Sequence, residues 1–282
     1  MDPLIARKTW RTLEPLHGMI YFVPEAAERY AAAGITDERA GYFASRAAAM
    51  GEVSADVVIA TFFNFHPDVV RRAIPRAWSE ASASSLLEAR LDAADAALRR
   101  ALGDVVGDGW VARAAELARR AALVACEHVE GRPLFAGHAG LDWPDDPHLV
   151  LWVAQTMLRE FRGDGHIAAL TVEGLSGCEA LVLHAASGEV PAAVLQSTRV
   201  WSDDEWAATI DALARRGLVD SAGAFTDEGR ALRQSIEDRT DHLALAPYEA
   251  LGEERCSELR DLARPLSRAV VDGGLLVPSR LG

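Results

Sequence analysis

The stretch SDDEWAATIDALARRGLVDSAGAFTDEGR, residues 202–230, decides the fold. Ser202 precedes a helical pattern, and Glu205, three places on, supplies the return arm of a capping box. The pattern runs to Arg216 and stops at Gly217. Leu218-Val219 and Ala224-Phe225 then read as two short strands around a turn at Gly223. Thr226 caps a new long helix, TDEGRALRQSIEDRTDHLA. Upstream, Ser176 to Ala186 and Pro191 to Gln196 read as two further helices. Three helices, a two-stranded hairpin and a fourth helix follow one another in the order of a winged helix-turn-helix.

Outward from this stretch, nearly every segment predicts helix. Alanine, leucine, arginine and glutamate dominate, and apolar residues recur at spacings of three and four. Pro3 to about His17 is a first helix and Pro24 to Ala33 a second. Thr36 to Met50 and Ala55 to Phe65 follow, the latter stopped by His66-Pro67. Pro67 opens a helix that Pro75 should end or kink. Ser84 to Leu102 and Trp110 to Val129 come next. Glu130 to Pro147, EGRPLFAGHAGLDWPDDP, is rich in Gly, Pro and Asp and reads as a linker. Helix resumes over His148 to Arg162, breaks at Gly163-Asp164-Gly165, and restarts at His166 with Asp164 as its cap. The expected architecture is mainly α: an all-helical domain over residues 1–145, then a winged-helix-like domain with C-terminal helices and a small two-stranded β wing over residues 146–282.

The run Leu213, Arg216-Gly217-Leu218-Val219 and Phe225-Thr226-Asp227-Glu228-Gly229-Arg230 resembles the MarR-type winged-helix regulators over roughly residues 176–240. The whole chain also looks like MarR-related helix-turn-helix proteins of GC-rich bacteria, through GYFASRAAAMG, FFNFHP and LREFRGDGHIAAL. The resemblance implies a ligand-binding regulator whose recognition helix ends in the RGLV run and whose wing closes at Phe225-Thr226. The DNA contacts it implies would fall on Arg215, Arg216 and Arg230. Here the recognition helix opens with Asp203, Asp204 and Glu205, which repel phosphates. Arg215 and Arg216 sit at its far end, where they also suit the helix dipole. Weak or no DNA binding is the expectation.

Composition narrows the field further. The chain has 282 residues, half of them hydrophobic, and a formal net charge of −13, which opposes nucleic acid and anionic membranes. No window approaches the length of a membrane span, and MDPLIARKTW breaks into charges at once, so neither membrane insertion nor export is expected. Cys126, Cys178 and Cys256 form neither a disulfide framework nor a CxxC site and read as thiols of a reducing cytoplasm. Walker, HExxH and GxSxG motifs are missing. His138, His148, Asp142, Asp145 and Asp146 cluster in the linker, where a solvated acidic loop is the simpler reading than a metal site, so no metal is assigned. No cofactor is assigned either; histidines border apolar helices as a haem would need, but CxxCH is lacking.

Two clusters remain as candidate ligand sites. In the first, Arg159, Arg162, Asp164 and His166 are wedged between two apolar helical stretches. Forked guanidiniums and a helix start at Gly165-His166 would suit an anion; the alternative is an ion-pair network that fixes a helix corner. In the second, Tyr42 and Arg46 share a helix face, Asn64 and His66 lie in FFNFHP, and His17 ends the first helix. These would line an aromatic-walled pocket, or simply pack a core. The function expected is a cytoplasmic small-molecule-binding winged-helix protein, a regulator or a relative that has lost DNA binding. The competing reading is an enzyme acting on a small organic substrate through His166 with Arg159 and Arg162, or through His66 with Arg46. The helices Thr226 to Leu243 and Glu253 to Val271 would form a homodimer or pack back on the N-terminal part.

Overall fold

A computed structural model describes residues 1–276. Its helices are α1 (Pro3–Gly18), α2 (Pro24–Ala32), α3 (Glu38–Ala47), α4 (Ala55–Phe62), α5 (Pro67–Glu80), α6 (Ala83–Leu102), α7 (Gly109–Ala125), α8 (Pro133–Ala139), α9 (Pro147–Val172), α10 (Gly177–Ala186), α11 (Ala192–Arg199), α12 (Asp203–Arg215), α13 (Asp227–Leu243), α14 (Ala246–Leu251) and α15 (Glu253–Asp272). Their starts follow from the sequence. Asp2, Asp37, Ser54, Ser82 and Thr226 each accept a backbone N–H of the turn they open. Ser176 and Ser202 complete capping boxes with Glu179 and Glu205.

The buried side chains form two cores. The larger takes Leu13, Phe43, Leu86, Leu117, Phe135 and Met157, and the chain returns to it with Tyr248, Leu259 and Leu266. There α7 lies along α9 and α15 along α1. The smaller holds Leu181, Trp206, Leu213, Val219 and Ile236 under α10, α12 and α13. Helix α9 serves both: Leu149 to Phe161 face the larger core, Ala169 and Leu170 the smaller. Helix α13 packs on α9 and α1, and α15 on α1, α6 and α7, so both C-terminal helices fold back onto the N-terminal body. Among the described residues no single helix is long and apolar enough to cross a membrane.

Mainly α agrees with the expectation, but the two-stranded β wing does not exist among the described residues. Only an isolated antiparallel bridge joins Val219 to Phe225. The reason is local. The Asp220 carboxylate takes the N–H groups of Ala222 and Ala224, closing the turn on itself. Thr226 donates to the Gly217 carbonyl, and a Cβ on Gly229 would lie 1.8 Å from the Leu218 oxygen, so α13 begins hard against the turn. No length remains for a ladder.

Three further expectations change. Helix α9 runs unbroken through Gly163-Asp164-Gly165. A Cβ on Gly165 would sit 3.2 Å from Leu243, so this glycine admits α13 rather than breaking α9. The expected linker contains α8, and α5 continues through Pro75.

Candidate functional site

Helix α9 carries charge through the interior. Glu160 is 1% exposed. Arg46 of α3 forks onto it, Nε to Oε1 at 3.4 Å and a terminal nitrogen to Oε2 at 3.0 Å. Arg159 donates to the same Oε1 at 2.8 Å and to Glu14 at 3.1 Å. Burial would raise the Glu160 pKa, but the Arg46 and Arg159 charges outweigh it and hold the carboxyl well below the usual range. One turn on, Arg162 donates to Asp241 at 2.7 Å and to Glu237 at 3.3 Å, and lies 4.7 Å over the Trp10 ring. Arg7 reaches the same two carboxylates.

Asp164 accepts the Phe135 N–H at 2.9 Å, so it caps α8, not a new helix of its own. Burial pushes its carboxyl up to about 6 despite that bond. His166 Nδ1 meets the Thr240 hydroxyl at 2.9 Å, and burial lowers its pKa to about 4, which keeps the ring neutral at physiological pH. Because α9 is continuous here, the free helix start expected at Gly165-His166 is not present, and with it goes the anion site built on exposed amides.

A cavity of about 600 Å³ opens where these groups meet α3, α10 and α13. Tyr42, Arg46, Asn64, Arg159, Arg162, Asp164 and His166 all line it, so the two sequence clusters share one space. His17 and His66 do not. His17 is sealed inside, bonded to Thr156 at 2.8 Å and the Tyr21 hydroxyl at 2.9 Å, with burial lowering its pKa well below the usual value. His66 bonds Glu205 at 2.9 Å instead of pairing with Arg46, whose partner is Glu160. Sequence reading missed Glu14, Glu160, Glu237 and Arg199 on the wall. Arg199 gave no signal, being one arginine at the end of a short helix. Seven arginines and five carboxylates line the cavity (Arg7, Arg11, Arg46, Arg159, Arg162, Arg199, Arg233; Glu14, Glu160, Asp164, Glu189, Glu237), an excess of positive charge inside a negative chain.

The FFNFHP segment forms one edge of the cavity and the seam to α11 and α12. The His66 N–H donates to the Arg199 carbonyl at 3.0 Å. The Trp201 indole donates to the Asn64 carbonyl at 2.9 Å. A Cβ on Gly177 would fall 2.1 Å from the Phe63 oxygen, so α10 starts against this segment. Phe63 (φ 59°) and Val200 (φ 64°) are the non-glycine residues with positive φ among the described residues, and both lie in this seam.

The outer face of α12 is different. Asp203, Asp204 and Asp211 are exposed. Of the arginines expected to meet DNA, Arg216 is bound to Glu179 at 2.9 Å and Arg230 to Asp227 at 3.1 Å. Arg215 caps its own helix through the Asp211 carbonyl. In the former linker, Asp146 and His148 come together with Asp95, within reach of one cation. The Arg99 guanidinium already bridges those acids, 2.8 Å from Asp95 and 3.0 Å from Asp146, and His138 is elsewhere in the interior.

Fold and site together define a helical protein in which a short α11–turn–α12 unit is seated against a larger body around an arginine-lined cavity. The model of a helix-turn-helix family matches residues 6–277, and the chain belongs to that family. Membership suggests a protein like the DNA-binding regulators. Neither the curated proteins nor the solved structures contain a match to the chain.

Proposed function

We propose that this helix-turn-helix protein is a small-molecule sensor, of the ligand-binding kind that the MarR resemblance implies, which grips DNA weakly or not at all unaided. The observation that carries the reading is the cavity wall, which joins α3, α4 and α9 to Arg199, the last residue of α11. A molecule held there touches the helix-turn-helix unit and the main body at once. It thereby biases the seam that positions α12, since ligands shift a protein between arrangements by contacting them unequally. The acidic outer face of α12 supports the second half of the proposal. A homodimer would use the outer faces of α13 and α15, because their inner faces are occupied.

Native mass spectrometry of protein purified under non-denaturing conditions tests the ligand half. The expected spectrum carries a small-molecule adduct that is lost on denaturation and is missing from Ala180→Phe, a change that fills the cavity from α10. Adduct-free spectra, with melting temperatures of parent and variant responding identically across a compound library, would overturn it. Mobility-shift titration with upstream DNA at low salt tests the other half. Sub-micromolar binding by the ligand-free protein would contradict it.

A further inference from the structure

The larger core holds one cation that nothing in the chain balances. Arg90 of α6 is 2% exposed, and it joins no ion pair among the described residues. The charged groups that act with it on His17 and His138 close on one another. Arg46 and Arg159 hold Glu160, and Arg159 holds Glu14. Three cations thus face two carboxylates, and the excess falls on Arg90. A guanidinium taken out of water without an anion is costly. Its neutral neighbours do not close the gap. Thr156 donates to the Trp152 carbonyl at 2.8 Å, so its oxygen accepts the His17 Nδ1–H, also at 2.8 Å. His17 Nε2 then accepts the Tyr21 hydroxyl proton at 2.9 Å. The Tyr21 oxygen is left as an acceptor, and Arg90 reaches it only at 3.4 Å, beyond the usual range for N–H to O. Arg90 Nε is shut away from solvent with no acceptor. The same holds for the Trp152 indole N–H and the Tyr30 hydroxyl, both on buried side chains. The guanidinium lies 5.6 Å from the Trp152 ring, and the Tyr30 hydroxyl is close enough to bear on its charge.

We propose that Arg90 binds one buried monatomic anion, of the chloride class, with the Trp152 N–H and the Tyr30 O–H as its further donors. This site is separate from the arginine-lined cavity and does not depend on what that cavity holds. The donors select the ligand. Each unpartnered group has a proton to give, and the indole and guanidinium nitrogens can do nothing else. A water molecule would take those protons, but its own two would then lack acceptors, and it brings no charge. A halide accepts from every side and cancels the excess charge at once. Size selects it too. Leu86, Ala93 and Ala94, one turn either side of Arg90 on α6, and His17 of α1 are all 0% exposed. An interior filled this closely admits a single ion before it admits an organic molecule. Tyr21, which Arg90 touches, lies 5.4 Å from Tyr42 of the cavity wall, so the ion steadies that wall from behind.

Differential scanning calorimetry of the full chain decides this, with sodium chloride replacing sodium gluconate at constant ionic strength. Tm should rise with chloride, by about 2–4 °C for each tenfold increase once the site fills. Sodium bromide should act as chloride does. In Arg90→Met the rise should vanish. Trp152→Phe removes one N–H and keeps a ring, and it should need about tenfold more chloride for the same rise. Circular dichroism checks that both variants remain folded; should Arg90→Met fail to fold, Trp152→Phe and diffraction carry the test. Crystals of the parent grown in bromide should give an anomalous peak within hydrogen-bonding reach of Arg90 Nε. An undiminished chloride response in Arg90→Met, or equal melting of the parent in chloride and gluconate, would overturn the proposal. So would a bromide crystal whose peaks all fall on exposed arginines, an adventitious ion only, with water beside Arg90.

Discussion

The cavity wall and the outer face of α12 use charge in opposite ways. The wall gathers seven arginines in a chain of net charge −13. The α12 face presents Asp203, Asp204 and Asp211, with Arg215 as its one unpaired cation among the described residues. A protein built mainly to hold a duplex would place its arginines the other way round. The contrast teaches that positive charge here is directed inward, where burial makes each pair matter and each unpaired group costly.

The strongest way to break the contrast is to empty the wall of its central anion. Glu160→Gln keeps the shape and leaves Arg46 and Arg159 facing an amide. Removing one partner of a buried ion pair costs about 3–5 kcal/mol, so Tm should fall by roughly 10 °C in calorimetry. A fall under about 2 °C would mean that the wall is solvated and its pairing incidental. On the other side, Asp203→Lys with Asp204→Lys reverses the α12 face. Affinity for random duplex at low salt should rise by about tenfold and fall steeply with added salt. An unchanged, salt-insensitive affinity would show that this face does not meet DNA at all.

Ser202→Ala sharpens the comparison from within α12. Its hydroxyl accepts the Glu205 N–H and completes the capping box. Loss should cost about 1 kcal/mol, or about 2–4 °C in Tm. No loss would free the first-turn acids from their helix-capping role. The smallest effect concerns pH. Asp164, at about 6 in the fold against 3.8 ordinarily, holds its proton in the folded state between those values, so its contribution to stability declines as pH rises through that window. His166, at about 4 against 6.5, stays neutral when folded, so its contribution is lost as pH falls below about 6.5. The two oppose each other. Asp164→Asn removes the first, and its Tm should climb more steeply from pH 4 to 6 than the parent's; parallel curves would contradict the assignment.

Helix starts were legible because they depend on a few neighbouring residues: Ser202 with Glu205, Thr226, and Pro at first positions act locally. The break read at Gly163-Asp164-Gly165 failed because Gly165 answers to α13, distant in sequence, and Asp164 answers to α8. The wing failed because the residues were right in kind, but Gly229 and Thr226 bring α13 too close for strands to extend. Seven of the nine candidate ligand residues reached one cavity since polar side chains among apolar helices must converge on something. His17 and His66 did not, each having found a partner first: Thr156 and Tyr21 for one, Glu205 for the other. Glu160 and Arg199 escaped notice because an acid amid arginines, or a lone arginine, gains meaning only from the elements folded over it.

Phe63 and Val200 give the seam a character of its own. Side chains with a Cβ pay about 1–3 kcal/mol for such left-handed backbone, and both of these residues lie in the seam. Elsewhere in the described chain this conformation is left to glycine. The joint therefore holds backbone strain of its own, and a shift that relaxed both residues would start with part of its climb already behind it.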